Sequence, residues 1–248
     1  MTPAGPLPGR PLRPGLSPTG LTALVDGTWP AAEIRRAGPW TLRRSAGGGS
    51  RVNAATAAPG AAAGDIPAAE AAMRDRGQPP LFCLCAGEAA LDAALAARGY
   101  AIKDPTELYV AGTAGLARAA PGMVYALWPP LAIQAELWAE GGIGTARRAI
   151  MARAPGPRTA LLGRIDGRPA AAAFVAASGG RAMLHALEVA PAARRRGLGA
   201  AMVRAAAAWA GGIGAAELAI LVTSANTAGN SLYASLGAVP LGGYHYRA

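Results

Sequence analysis

The chain has 248 residues, 52% of them apolar, and a formal net charge of +10. That length allows one large or two small domains, and the apolar fraction is ample for a core, although alanine supplies much of it and keeps its volume low. The charge favours anionic ligands, but the arginines are scattered and only 5% of residues are aromatic, which argues against a nucleic-acid-binding module.

Residues 1–19 are rich in proline and glycine and lack apolar periodicity, so they read as a flexible arm. No charged segment followed by an apolar core marks a signal peptide. Leu21 to Trp29 reads as a short helix, followed by a hairpin of strands 40–45 and 51–57 joined through Gly47, Gly48 and Gly49. Asp65 is placed to cap a helix running to Arg76, with Pro67 in its first turn. Residues 80–86 read as a buried strand. Its Cys83 and Cys85 point to one face, do not bridge, and suit a reducing cytoplasm. A helix over 88–98 closes at Gly99, and residues 102–111 form the next strand.

The small residues of 112–122 mark a boundary between a segment over 20–111 and a domain over 112–248. A strand over 123–127 opens the second unit, followed by helices over 131–139 and 143–153. Asp166-Gly167 between strands 159–165 and 169–176 is a hairpin signal. Strand 181–189 runs into a glycine loop and helix 198–210. Strand 217–223, helix 227–236 and strand 239–246 complete the chain. The apolar stretch 197–222 is interrupted by Arg204, Glu217 and glycines, so no membrane span is expected. No Cys/His cluster has metal-ligand spacing.

The glycine loop carries the functional signal. Gly197 and Gly199 let backbone approach a ligand, and the helix behind them directs N–H groups and positive potential at one spot. A P-loop would need Gly-Lys-Ser/Thr and a dinucleotide loop a third glycine; neither is present. Arg194, Gly197 and Gly199 do fit Arg/Gln-x-x-Gly-x-Gly/Ala, and Asn226, Leu232, Tyr233, Leu236 and Gly237 follow. Together these resemble the acyl-CoA loop and C-terminal segment of the GNAT superfamily of N-acyltransferases. Gly229 and Ala238 depart from it, standing where that family has Ala and Phe.

The resemblance implies an α/β (α+β) GNAT fold, with a central mixed, mostly antiparallel sheet flanked by helices. The first half, where residues 40–53 look like the opening of tandem GNAT proteins, would be a degenerate copy without its own CoA loop. It further implies transfer of an acyl group, acetyl in the first place, from acetyl-CoA to an amine by direct attack on the thioester. The acceptor is open: a small molecule or a protein amine. An acidic acceptor would suit the net charge. The backbone N–H groups of Arg195, Arg196, Gly197, Leu198, Gly199 and Ala200 would hold the pyrophosphate, and Arg194, at the first motif position, would join the CoA site unless it is an ordinary solvated arginine. Leu187 and Val189 would pair with the pantetheine arm, with the Val189 N–H polarising the thioester carbonyl.

By the same resemblance Tyr233 would protonate the leaving thiolate; the alternative is a packing tyrosine beside Leu232 and Leu236. Asn226 would contact CoA or cap the following helix. Glu188 is the carboxylate nearest the loop and the candidate base, unless an arginine pairs with it and water serves instead. His185 fits a buried structural role at least as well as a chemical one. No metal is called for, nor any membrane or nucleic-acid partner, and exposed strand edges allow a homodimer. The competing class is a non-catalytic acyl-CoA-binding or sensing protein.

Overall fold

The structure is a computed structural model that describes residues 17–116 and 122–248. Most of the expected arm, residues 1–16, therefore lies outside the described residues, as do residues 117–121 of the expected boundary. Pro18 and Thr19 of that arm already belong to a helix. Ser17 accepts a hydrogen bond from the Gly20 N–H at 3.1 Å and starts α1 (Pro18–Thr28).

β1 (Glu33–Ala37), β2 (Trp40–Arg44) and the two-residue β3 (Thr56–Ala57) form a small antiparallel sheet. The expected hairpin of 40–45 with 51–57 is only partly present. β2 pairs mainly with β1 and meets β3 at Trp40↔Ala57 and Thr41↔Thr56. Residues 50–52 form a 3-10 turn instead of strand. Local hydrogen bonding explains this: Asn53 takes the Ser45 N–H and donates to the carbonyls of Gly47 and Gly49, which fixes a loop.

α2 (Ile66–Arg74) ends two residues before the expected Arg76. Asp65 does not cap it through its side chain; the carboxylate accepts from the Ala62 N–H at 2.8 Å and closes the turn before the helix. β4 (Phe82–Cys85) and α3 (Ala89–Ala97) follow, and Gly99 takes the left-handed conformation expected after a helix. Both thiols are free.

β5 (Ile102–Gly112) shows how the halves combine. After α4 (Thr113–Leu116), the chain continues through β6 (Val124–Leu127), α5 (Ala132–Glu140), α6 (Thr145–Arg153), β7 (Arg158–Ile165), β8 (Arg168–Ser178) and β9 (Arg181–Val189). It ends with α7 (Leu198–Gly212), β10 (Glu217–Thr223), α8 (Thr227–Ser235) and β11 (Val239–Arg247). Among the described residues the large sheet has eight strands in the order β4-β11-β5-β10-β9-β8-β7-β6. β5, read from sequence as the end of the first segment, lies between β10 and β11 and is antiparallel to both. β11 in turn pairs with β4. The halves thus share one sheet, mixed through the parallel β9/β10 pair and otherwise antiparallel.

Strand alternation divides the core. On β8, Ala171, Ala173, Val175 and Ala177 pack towards the cluster that holds α7, while Ala172, Phe174 and Ala176 pack with Trp138 and Ile150 of α5 and α6. A strand buried on both faces reads as a continuous apolar run, as this one does. Gly163 lets α7 approach closely: a Cβ there would lie 2.8 Å from Met202 Sδ and 2.9 Å from Ala171 Cβ. The first half has its own cluster around Trp40, Ile66, Met73, Phe82 and Leu95.

One polar cluster ties the last strand to the first half. Asp92 of α3 accepts from Arg247 Nε at 2.7 Å and Nη2 at 2.9 Å, and bonds His245 Nε2 at 2.7 Å. Arg247 holds the Asp92 carboxyl below the ordinary aspartate range, with His245 assisting against burial. Asp92→Ala should therefore destabilise the fold by about 2 kcal/mol, chiefly by leaving Arg247 without its carboxylate. Because the folded pKa is lowered, this contribution is present above the unfolded value of about 3.9 and disappears as pH falls through the folded value. Urea titrations of both proteins at pH 7 and pH 3 check this: the gap should narrow at the lower pH. No helix among the described residues is long and apolar enough to cross a membrane.

Candidate functional site

The site begins where two parallel strands part. β9 and β10 pair from Arg181↔Glu217 to Leu184↔Ile220 and no further. β10 stays with β5 as far as Thr223↔Thr106, while β9 stays with β8. A bulge in β9 lies at the point of parting. Phe174↔His185 is followed by Ala172↔Glu188, so β9 carries one extra residue. Ala186 takes up the distortion at φ 51, a conformation that costs a residue with a Cβ about 1 kcal/mol or more. The buried Trp138 secures it by donating from Nε1 to the Ala186 carbonyl at 2.8 Å.

Beyond the bulge the backbone faces are set by alternation. The Ala190 N–H donates to the Ala170 carbonyl at 2.8 Å, so residues 190 and 188 turn their backbone polar groups towards β8. Those of Leu187 and Val189 turn the other way, into the split. Leu187, Glu188 and Val189 line a cleft of about 850 Å³ with Arg194, Arg195, Gly197, Gly199, Ala200 and the facing residues of α8.

The loop carries its N–H groups into that cleft. Arg195 at φ 62 and Gly197 at φ 81 wind it into a left-handed turn before α7. No side chain caps α7, and the Ala201 N–H makes the first bond to the Gly197 carbonyl at 3.1 Å. The N–H groups of Leu198, Gly199 and Ala200 have no intrahelical acceptor and suit an anion. The Leu198 side chain is buried under the helix, so only its backbone serves the cleft. Arg196 pairs with Asp166 at 2.8 Å. Arg194 fastens the loop to the strand, donating to the Val189 carbonyl and to Glu188 Oε1, both at 3.0 Å. Glu188 is thus ion-paired, and its side chain lies so close to Gly141 that a Cβ there would come within 2.5 Å of it.

On the opposite wall, Asn226 Oδ1 accepts from the Gly229 N–H at 2.9 Å and caps α8. At Gly229, one of the two departures, a Cβ would sit 2.9 Å from Asn226 Nδ2 and 3.1 Å from Val222 Cγ2. Tyr233 is buried, packs on Tyr109 at 5.8 Å, and has its pKa pushed up to about 12 by burial.

Leu187, Asn226 and Tyr233 also line a second, smaller cavity of about 350 Å³ inside the split. Its other walls were not visible in sequence. They include Trp29, Gly48, Gly49 and Arg51 from the first half, Asp104 and Thr106 of β5, and Tyr244 and Tyr246 of β11. Two signals could have pointed there: glycines ahead of an arginine, and a lone aspartate before Pro105 inside a strand. His185, beside the bulge, is 4% exposed and stacks on Trp29 at 4.9 Å. Burial and the nearby Arg51 charge depress its pKa well below the ordinary histidine value. Among the described residues, no group of His, Cys, Asp and Glu could hold a metal ion.

Known proteins agree with this geometry. The model of the acetyltransferase (GNAT) family matches residues 125–238, which span the split, the loop and Tyr233. A GCN5-related N-acetyltransferase from Kribbella flavida superposes with TM-score 0.70 at 22% identity, covering 91% of this chain and 92% of that one. A functionally unknown conserved protein from Staphylococcus epidermidis gives 0.67 at 11% identity over 88% of this chain and 94% of that one. A tandem GNAT protein from the clavulanic acid biosynthesis pathway gives 0.55 at 16% identity over 78% of this chain and 74% of its own. No curated protein sequence matches. Residues 125–238, which hold the strand split and the loop, thus match the GNAT acetyltransferase family model, and the fold of such proteins is shared over nearly the whole chain.

Proposed function

We propose that the chain transfers an acyl group, acetyl in the first place, from acyl-CoA to an amine held in the smaller cavity. The observation that carries this reading is the junction of the two spaces: Leu187, Asn226 and Tyr233 line both the loop cleft and the inner cavity. A thioester laid along Leu187–Val189 would put its phosphates on the loop N–H groups and its carbonyl near the split. The Val189 N–H is the donor for the oxygen as charge develops on it. The neutral amine nitrogen attacks the carbonyl carbon to give a tetrahedral intermediate, whose ammonium nitrogen loses its extra proton to water. The intermediate then collapses to the amide, the C–S bond breaks, the thiolate takes the Tyr233 proton, and solvent reprotonates Tyr233.

Glu188 enters this scheme as a positioning group. Its carboxylate is held by Arg194 and lines the CoA side, not the inner cavity. Glu188→Gln should change kcat by less than about fivefold, weaken acetyl-CoA binding a few-fold, and leave the pH–rate profile in place. A loss of 100-fold or more together with a displaced acid limb would restore Glu188 as the base. The test of the function itself is calorimetric titration with acetyl-CoA, followed by assay of free thiol release over an amine panel. Binding with release dependent on an amine supports transfer. Binding with no release over the panel favours the acyl-CoA sensor, and no binding removes both readings.

A further inference from the structure

Among the described residues, the inner cavity holds a guanidinium without a counter-ion. Arg51 lies in the 3-10 turn after Gly49 and reaches across to the C-terminal half. Its Nε donates to Tyr244 Oη at 3.2 Å, and Nη1 lies 3.5 Å from His185 Nδ1. The rest of the fork, on Nη1 and Nη2, makes no hydrogen bond among the described residues, and no carboxylate there lies within ion-pair distance. Burial opposes its charge, but the phenols of Tyr244 and Tyr246 and the hydrogen bond to Tyr244 outweigh it, so the pKa is raised and Arg51 remains a cation.

The surroundings hold this cation in place. The Thr28 hydroxyl donates to the Leu24 carbonyl at 2.7 Å, so it accepts from His185 Nε2–H at 3.0 Å. That tautomer leaves Nδ1 as the acceptor facing Arg51. Neutral His185 therefore orients the guanidinium without cancelling its charge. A half-buried arginine is costly unless it meets an anion, and a planar carboxylate matches its fork.

Asp104 supplies the opposite charge in the same cavity. β5 has one more residue than β11 between Thr106↔Tyr244 and Lys103↔Tyr246, and Asp104 sits in this bulge at φ 47. Thr106 Oγ1 donates to the Asp104 carbonyl at 2.8 Å and steadies it. Asp104 and Arg51 line one space without forming an ion pair with each other. Arg147 lines the same cavity, so cations outnumber its one carboxylate, and opposite charges that share a space without pairing suit a ligand carrying both.

We infer that the acceptor is an amine that also carries a carboxylate, with Arg51 binding the carboxylate and Asp104 facing the ammonium end. This rests on the reading of the inner cavity as the acceptor site. It also gives the first half of the chain a substrate-selecting role, since Arg51 comes from that half.

The test uses the full chain and matched pairs of amines with and without the carboxylate: L-serine and ethanolamine, L-threonine and 1-aminopropan-2-ol, L-lysine and cadaverine, L-phenylalanine and phenethylamine. Each is titrated by calorimetry with and without CoA, on wild type, Arg51→Lys and Arg51→Gln, with thermal unfolding as the check on folding. At least one acid should bind tenfold or more tightly than its partner. The difference should vanish in Arg51→Gln and be partly kept in Arg51→Lys, which retains the charge without the fork. Equal binding within every pair, a preference that survives Arg51→Gln in a folded protein, or no binding of any acid overturns the inference. Acetyl-CoA titrated separately reads the underlying function. An acid bound through Arg51 by a chain that ignores acetyl-CoA removes the transferase reading alone. Acetyl transfer to acids and decarboxylated amines alike removes this inference alone.

Discussion

Gly199→Glu is expected to abolish acetyl-CoA binding, with a loss of at least 100-fold in a calorimetric titration, while the protein stays folded. Gly199 is the second residue of α7, and its N–H is one of the donors without an intrahelical acceptor. A carboxylate there sits over the helix N-terminus and competes for the groups that a pyrophosphate would use. It would also repel the phosphates directly. Folding should survive because an acidic side chain in the first helical turn is locally favourable, by about 0.5 kcal/mol. The steric demand is small: a Cβ at Gly199 would meet Leu232 Cδ2 at 3.3 Å, the end of a side chain that can give way. Gly199→Ala is the matched control and should keep binding within about fivefold. If Gly199→Glu still bound acetyl-CoA near wild-type strength, the pyrophosphate would have to lie elsewhere and the loop would lose its assigned role. If both variants lost binding equally, space and not charge would be the determinant.

The legibility of this chain follows the range of the interactions involved. The loop at 194–200 could be read because its demands are local: glycine where the backbone turns left-handed, then a helix that starts uncapped. Asp166 at φ 50 and Gly167 at φ 74 form the expected two-residue turn for the same reason. β1 escaped notice because Glu33, Ile34, Arg35 and Arg36 are all exposed, leaving no period-two contrast to detect. The interleaving of β5 between β10 and β11 depends on pairings more than a hundred residues apart in the chain, as in Thr223↔Thr106. Local pattern carries no trace of such partners. The inner cavity was hidden for the same reason. Arg51, Asp104, His185 and Tyr244 come from separate elements, and each alone resembles an ordinary residue of its type. Even Glu188, correctly placed next to the loop, could not be separated from its ion pair until Arg194 was seen to bend back over the strand.

Tyr233→Phe should lower kcat by about 100-fold and leave acetyl-CoA affinity unchanged within about twofold. Removing a general acid typically costs 10²-fold or more, and the oxyanion donor and the positioning of the thioester would remain to support residual turnover. The ring would stay in place, because its packing on Tyr109 and the surrounding apolar residues does not involve the hydroxyl. The pH dependence gives an independent reading. Burial pushes the Tyr233 pKa up to about 12, so the phenol keeps its proton across the neutral and mildly alkaline range. The wild-type rate should therefore rise with pH as more amine becomes neutral and then level off, with no alkaline decline from Tyr233 until pH nears that value. In the phenylalanine variant the rising limb should persist, since it belongs to the acceptor, but at a lower plateau. A better leaving group should narrow the gap, because a less basic thiolate needs less help from an acid. An unchanged kcat would return Tyr233 to a packing role and leave the thiolate to be protonated by water; a parallel loss of acetyl-CoA binding would mean that the hydroxyl shapes the cleft rather than serving the chemistry.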